Sequence, residues 1–236
     1  MLRLAVLALL LAAAAFLLFV HARRAPQDVP WTRLDLSQPV GLFTGRKLAG
    51  LTQAPGRCRA LLGEAGVRFT ALPPVAQPGR CGYADGVALG AGGALATGWQ
   101  PALKTACPVA AGLSVWIWEV VQPAAQHYLG SHVVAVEHYG SYNCRRMYGA
   151  RKGPWSEHAT ADAIDIAGFR LADGTRLTVR RDWKGDDARA TFLHVVRNGA
   201  CKLFSTVLSP DYNAAHADHL HLDQAARGEW SWRACR

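Results

Sequence analysis

Residues 163–180 read AIDIAGFRLADGTRLTVR. Ile164, Asp165 and Ile166 alternate with the period of a strand, so the isoleucines face a core and Asp165 points the other way. Asp173-Gly174 supplies the positive φ of a tight turn, which predicts a hairpin of Ala163–Phe169 with Arg176–Arg180. Further strands are expected at Val67–Leu72, Gly86–Leu89, His132–Glu137, Leu203–Leu208 and His219–Asp223. Thr44 caps a short helix carrying Leu48 and Leu51, and a second runs through Cys58, Leu61 and Leu62. The clearest helix starts near Cys107-Pro108 and repeats Leu113, Trp116, Ile117, Val120 and Val121 at helical steps. It ends at Gly130, with a kink expected at Pro123. Another covers Asp187–Asn198, with Phe192, Leu193 and Val196 on one face and Gly199 at its end. Helices first and hairpin strands later predict an α+β fold, a small, largely antiparallel sheet flanked by helices.

The chain has 236 residues, half of them hydrophobic, and 26 Lys+Arg against 17 Asp+Glu give a net charge of +9. That balance excludes a disordered or collagen-like chain and leaves one domain with an appendage. The basic surplus favours anionic surroundings and says nothing of fold. After Arg3, an unbroken apolar run extends from Leu4 to Val20. It exceeds a usual signal core and nearly spans a bilayer, so residues 1–22 are an uncleaved anchor or a cleaved signal. Val20-His21-Ala22 is the candidate cleavage site, and Arg23 and Arg24 opposite Arg3 leave the orientation open. Pro26, Pro30 and Pro39 mark residues 23–44 as a linker before a domain at 45–236. Cys58, Cys81, Cys107, Cys144, Cys201 and Cys235 form no CxxC pair. In an exported chain they read as three disulfides, expected in sequential order 58–81, 107–144 and 201–235. The domain is therefore expected outside the cytoplasm, with the membrane as a partner of the N-terminal helix.

Two segments concentrate unusual polar residues: SEHATADAID at 156–165 and HADHLHLD at 216–223. A strand over 219–223 puts His219, His221 and Asp223 on one face, with Leu220 and Leu222 in the core. Imidazole and carboxylate groups from two strands suit zinc, and three protein ligands leave a position open, as catalytic zinc requires. Spacing alone leaves solvated surface histidines equally open. His216 is read as a loop residue rather than a further site histidine. Trp155 lines a cleft or packs as an ordinary indole. His127, His132, His138 and His194 have no partner spacing and receive no chemistry.

The ordered blocks CRALLGEAGV, CPVAAGLSVWIWEVVQPAA, GSYNCR, SEHATADAIDIAGF, HADHLHLD and ARGEWSWRACR resemble the bacterial extensin-like C-terminal domain family over roughly residues 45–236. SEHATADAID and HLH are also similar to the paired signatures of zinc D-alanyl-D-alanine peptidases and murein endopeptidases. That resemblance implies the peptidase fold, with a zinc ion held by His158, Asp165 and His221. It further implies that His219 steadies an oxyanion and that Arg145, in Asn143-Cys144-Arg145, lies near the substrate. Two positions depart from the pattern: Ala161 stands where glycine is usual, and Asp218 where a longer glutamate serves as general base. Asp218 is then either a shorter base or an acceptor that orients a histidine.

The implied function is hydrolysis of peptidoglycan peptides by a periplasmic, membrane-anchored zinc peptidase. A non-catalytic wall-binding module with the same fold is the rival. Nucleic acid is not an expected partner, because no helix-turn-helix or aromatic-basic motif accompanies the charge.

Overall fold

The computed structural model describes residues 1–226 and 233–236, so the RGEWSW part of the closing block lies outside the described residues. The apolar run forms α1 (Leu2–Arg24), in which no residue is buried. The domain opens with α2 (Thr44–Ala49), α3 (Pro55–Glu64), β1 (Val67–Ala71), β2 (Val75–Ala76), β3 (Gly82–Tyr83), β4 (Gly86–Gly93), β5 (Gly98–Gln100) and β6 (Lys104–Ala106). Next come α4 (Cys107–Trp116), α5 (Gln122–Leu129), β7 (Val133–His138), β8 (Ala163–Leu171), β9 (Arg176–Thr178) and α6 (Val179–Asp182). The last are α7 (Ala188–Ala200), β10 (Thr206–Leu208), β11 (Leu220–Asp223) and β12 (Ala234–Cys235).

Among the described residues the main sheet runs β12-β10-β11-β8-β7-β5, and β9 also pairs with β8. The expected α+β class holds, with an antiparallel centre and parallel pairs only at the two edges, β5 with β7 and β10 with β12. β8 is the axis. One of its edges carries β7, and the other carries β11 along its first half and β9 along its second. Ile164, Ile166, Leu220 and Leu222 are fully buried on one face of the β8–β11 pair, as period two demands.

Every residue of α4 is buried, so this helix is enclosed by the fold and has no solvent face. The Trp116 indole within it donates to the Val196 carbonyl of α7 at 2.8 Å. The kink expected at Pro123 takes the form of a π-helical turn over Ile117–Val121, placed between α4 and α5. Pro123 offers no N–H and its ring crowds the carbonyl four residues back, which favours a wider turn there.

Four other expectations are corrected. The second hairpin strand stops at Thr178, because Thr178 caps a helical turn: its hydroxyl accepts from the Arg181 amide, and Asp182 accepts from the Thr178 amide. The last strand begins at Leu220 rather than His219. The presumed linker packs onto the domain from Gln27 onward, with Val29, Leu34 and Leu36 buried and Lys47 Nζ bonded to Pro26, Gln27 and Thr32. Finally, the disulfides are Cys58–Cys107, Cys81–Cys144 and Cys201–Cys235. Only the last follows the sequential order, because α3 packs on α4 and so brings Cys58 to Cys107.

Candidate metal centre

Strand register creates the centre. Asp165 of β8 lies directly opposite His221 of β11 in the ladder, and both point away from the isoleucine and leucine core. His158 arrives from a 3-10 turn, Glu157–Thr160, whose entry is capped by the Ser156 hydroxyl accepting from the His158 amide. The turn exits through Ala161, held at φ +59°. Its carbonyl accepts from the Ala106 amide and from the Thr105 and Ser141 hydroxyls, at 3.0 to 3.1 Å. Those three bonds fix a left-handed residue that lacks the freedom of glycine.

His158 Nε2, Asp165 Oδ1 and His221 Nδ1 form a triangle with edges of 3.2, 3.2 and 3.0 Å. A point ~2.1 Å from all three atoms exists roughly 1 Å out of their plane, which matches zinc's bond lengths to nitrogen and oxygen. The donor set of two imidazoles and one carboxylate also fits zinc better than magnesium, which requires six oxygens in octahedral array. The far nitrogens are committed elsewhere: His158 Nδ1 lies 2.7 Å from the Ser141 carbonyl and His221 Nε2 lies 3.2 Å from Asp223 Oδ2. Each acceptor takes the ring proton, so both inner nitrogens present lone pairs. Without a cation the cluster draws protons: burial opposes charge on His221, but the bonds to Asp165 and Asp223 outweigh it and push its pKa up to about 9. Burial likewise works against Asp165, yet the two histidines hold its carboxyl far below the usual range.

A cavity of about 290 Å³ opens over these atoms, lined by Arg145, Trp155, His216 and His219 among others. The structure thus brings together every residue the sequence nominated except Asp218, which does not line the cavity and reaches it only through its bond to His219. His219 Nε2 is 3.4 Å from Asp165 Oδ1, and its Nδ1 is 2.9 Å from Asp218 Oδ1. Asp218 Oδ2 accepts from the Tyr139 hydroxyl at 3.3 Å, and the Tyr139 ring meets His219 edge-on at 5.8 Å. Trp155 lines the cleft and carries the Arg146 guanidinium 4.3 Å above its ring. His216 is corrected from loop residue to cleft imidazole: it is buried, and its ring lies 5.2 Å from that of His219 and 6.0 Å from that of His221. Burial, then the neighbouring histidines, hold its pKa down to about 4.

Sequence reading missed Ser141 and Tyr139 and gave Asp223 a place but no role. Ser141 acts through its backbone carbonyl, which has no sequence signature. Asp223 was placed on the right face by period two, and its role as the His221 acceptor follows from that placement. Tyr139 reaches Asp218 across 79 positions, a pairing only the fold creates.

A family model described as extensin-like protein C-terminus matches residues 56–236, and the chain belongs to that family. No curated protein matches the chain. No solved structure matches it either.

Proposed function

We propose that this extensin-like domain is an exported zinc peptidase that hydrolyses peptide bonds of peptidoglycan in the periplasm of a bacterium. The reading rests on one observation: two imidazole nitrogens and a carboxylate oxygen, each 3.0–3.2 Å from the others, converge in an open cleft with their tautomers fixed from behind. His158, Asp165 and His221 would hold the metal. The chemistry zinc supplies in such a site is Lewis acidity at a carbonyl and a hydrolytic nucleophile near neutral pH.

The remaining steps belong to the chain. Asp218 takes the Nδ1 proton of His219 in a hydrogen bond, which turns His219 Nε2 toward the centre as the atom that accepts a proton. The resulting imidazolium, steadied by Asp218, then donates to the oxyanion or to the leaving amine. Both carboxylate oxygens of Asp218 are engaged, by His219 and Tyr139, which supports a positioning role over that of a direct base. Arg145, lining the cleft, offers a planar fork to a substrate carboxylate.

Zinc content and digestion of isolated muropeptides test the reading together. Wild type is expected to hold one zinc and cleave, while His158→Ala loses both. Asp218→Asn and Asp218→Ala should keep zinc and lose turnover by ~10²–10⁴ if the Asp218–His219 pair handles the proton. Full cleavage by both variants removes Asp218 from the mechanism. Zinc-loaded wild type that cleaves no muropeptide sinks the peptidase and leaves the wall-binding module.

A further inference from the structure

A second cavity, of about 490 Å³, lies between β7, β9 and α6. It meets the metal cleft across one ring contact, since Tyr139 lines the second cavity, His219 lines the first, and their centroids are 5.8 Å apart. Its charged walls are Arg176, Arg180 and Arg181 against the single carboxylate of Glu137. These cations are not equivalent. Arg176 is bound to both oxygens of Glu137 at 2.6 to 2.9 Å, with Arg170 on the same carboxylate. Arg181 is bound to Asp182. Arg180 has no hydrogen bond or ion pair among the described residues, and it lines the cavity together with Tyr139, whose hydroxyl is bonded to Asp218. The cavity is therefore lined by one exposed, uncommitted guanidinium, that of Arg180, next to two arginines that are held by carboxylates.

We propose that this cavity is a second acid subsite, in which Arg180 binds a substrate carboxylate other than the one taken by Arg145. The proposal rests on the peptidase reading and narrows its substrate: a peptide carrying two free acid groups, one in each cavity, with the reacting bond between them at the metal centre. A guanidinium pairs with a carboxylate through charge-assisted, often bidentate hydrogen bonds, so the second acid sets both affinity and the direction in which the peptide lies. Arg176 and Arg181 are each held by a carboxylate through Nε and Nη2, so they contribute mainly field, and Arg180 is the guanidinium with its whole fork open.

The probe is a stem tetrapeptide with two free carboxylates and N-methylated peptide bonds, compared with each of its two monoamides. Binding to the full chain is read by calorimetry, without cleavage. One monoamide should bind wild type about tenfold or more weakly than the diacid, the scale of a lost charge-assisted hydrogen bond. Arg180→Ala should bind that monoamide and the diacid equally, while keeping the wild-type preference against the other monoamide. Arg180→Lys should recover part of the discrimination. An Arg180→Ala protein that retains both preferences, or a wild type that shows neither, overturns the subsite. Cleavage with both preferences intact in Arg180→Ala removes the subsite and keeps the peptidase; Arg180-dependent binding without any cleavage does the reverse.

Discussion

Ala161 and Asp162 stand side by side behind His158, and both carry a cost that the surrounding bonds offset. Ala161 adopts φ +59° with its methyl fully buried. An L-residue in that region costs ~1–2 kcal/mol, against ~0.8 kcal/mol gained by burying a methyl and ~0.5–1 kcal/mol of extra backbone freedom lost by glycine. These nearly cancel. Ala161→Gly is thus expected to change stability by less than about 1 kcal/mol, whereas Ala110→Gly inside α4 should cost about 2 kcal/mol, the sum of lost methyl and helix propensity. Chemical denaturation of the two variants checks the contrast; equal losses would mean that Ala161 bears no strain. Asp162 has one carboxylate oxygen buried without a partner. Burial, then the charge of Asp85, push its pKa up to about 8. The folded chain therefore binds a proton there that the unfolded chain releases near pH 4, and stability falls as pH rises from about 4 to about 8. Asp162→Asn keeps the acceptor for Thr160 and removes that proton. Its stability should be flatter across the same window, as read by denaturation midpoints at several pH values; an unchanged slope would assign the decline to other groups.

At the scale of elements, what the sequence made legible was what strict periodicity encodes. Alternation in β8 and β11 separated the buried Ile164, Ile166, Leu220 and Leu222 from Asp165 and His221, and the facing pair of the centre follows from that separation. Features set by contact between distant elements were not legible. Val179 and Arg180 read as two more strand residues until Thr178 and Asp182 close a helix cap there. Cys81 and Cys144 are 63 residues apart and meet because the loop after β7 folds back beside β3. That disulfide anchors the segment bearing Arg145, which meets the His158 turn through the Asn143 amide on the His158 carbonyl and the Ser156 amide on the Arg145 carbonyl. The turn is also tied to the domain by the bonds of Ser141 and Ala161 to Thr105 and Ala106. Replacing both cysteines by serine should remove about 4 kcal/mol of stability in the loop-entropy account. On the proposed function, zinc content should stay at the wild-type level and affinity for acidic peptides should drop, through a loosened Arg145. Loss of zinc in a variant that still folds would show that the disulfide supports the centre itself.

Across the whole molecule, the same early segment that reads as a tether is where the domain begins. Three disulfides and an N-terminal apolar helix fit an exported protein. α1 has 23 residues, ~34 Å of helix, enough to cross a hydrocarbon core of ~30 Å. It contributes nothing to the core, since none of its residues is buried, and the chain becomes part of the domain only from Gln27. Residues 27–43 then supply Leu34 and Leu36 to the main hydrophobic cluster, and the Phe43 amide donates to the Gln27 carbonyl. As an anchor, α1 joined to so short a free stretch would hold the domain close to the bilayer surface. The two roles separate by truncation. Removing residues 1–24 should release the protein from membranes while leaving its thermal midpoint within a few degrees of the full chain. Removing residues 1–43 should also uncover the sites of two buried leucines, each worth ~2–5 kcal/mol, and lower the midpoint steeply or abolish folding. Equal midpoints for the two truncations would return residues 27–43 to the status of a linker, and retention of the shorter truncation on membranes would move the anchor out of α1.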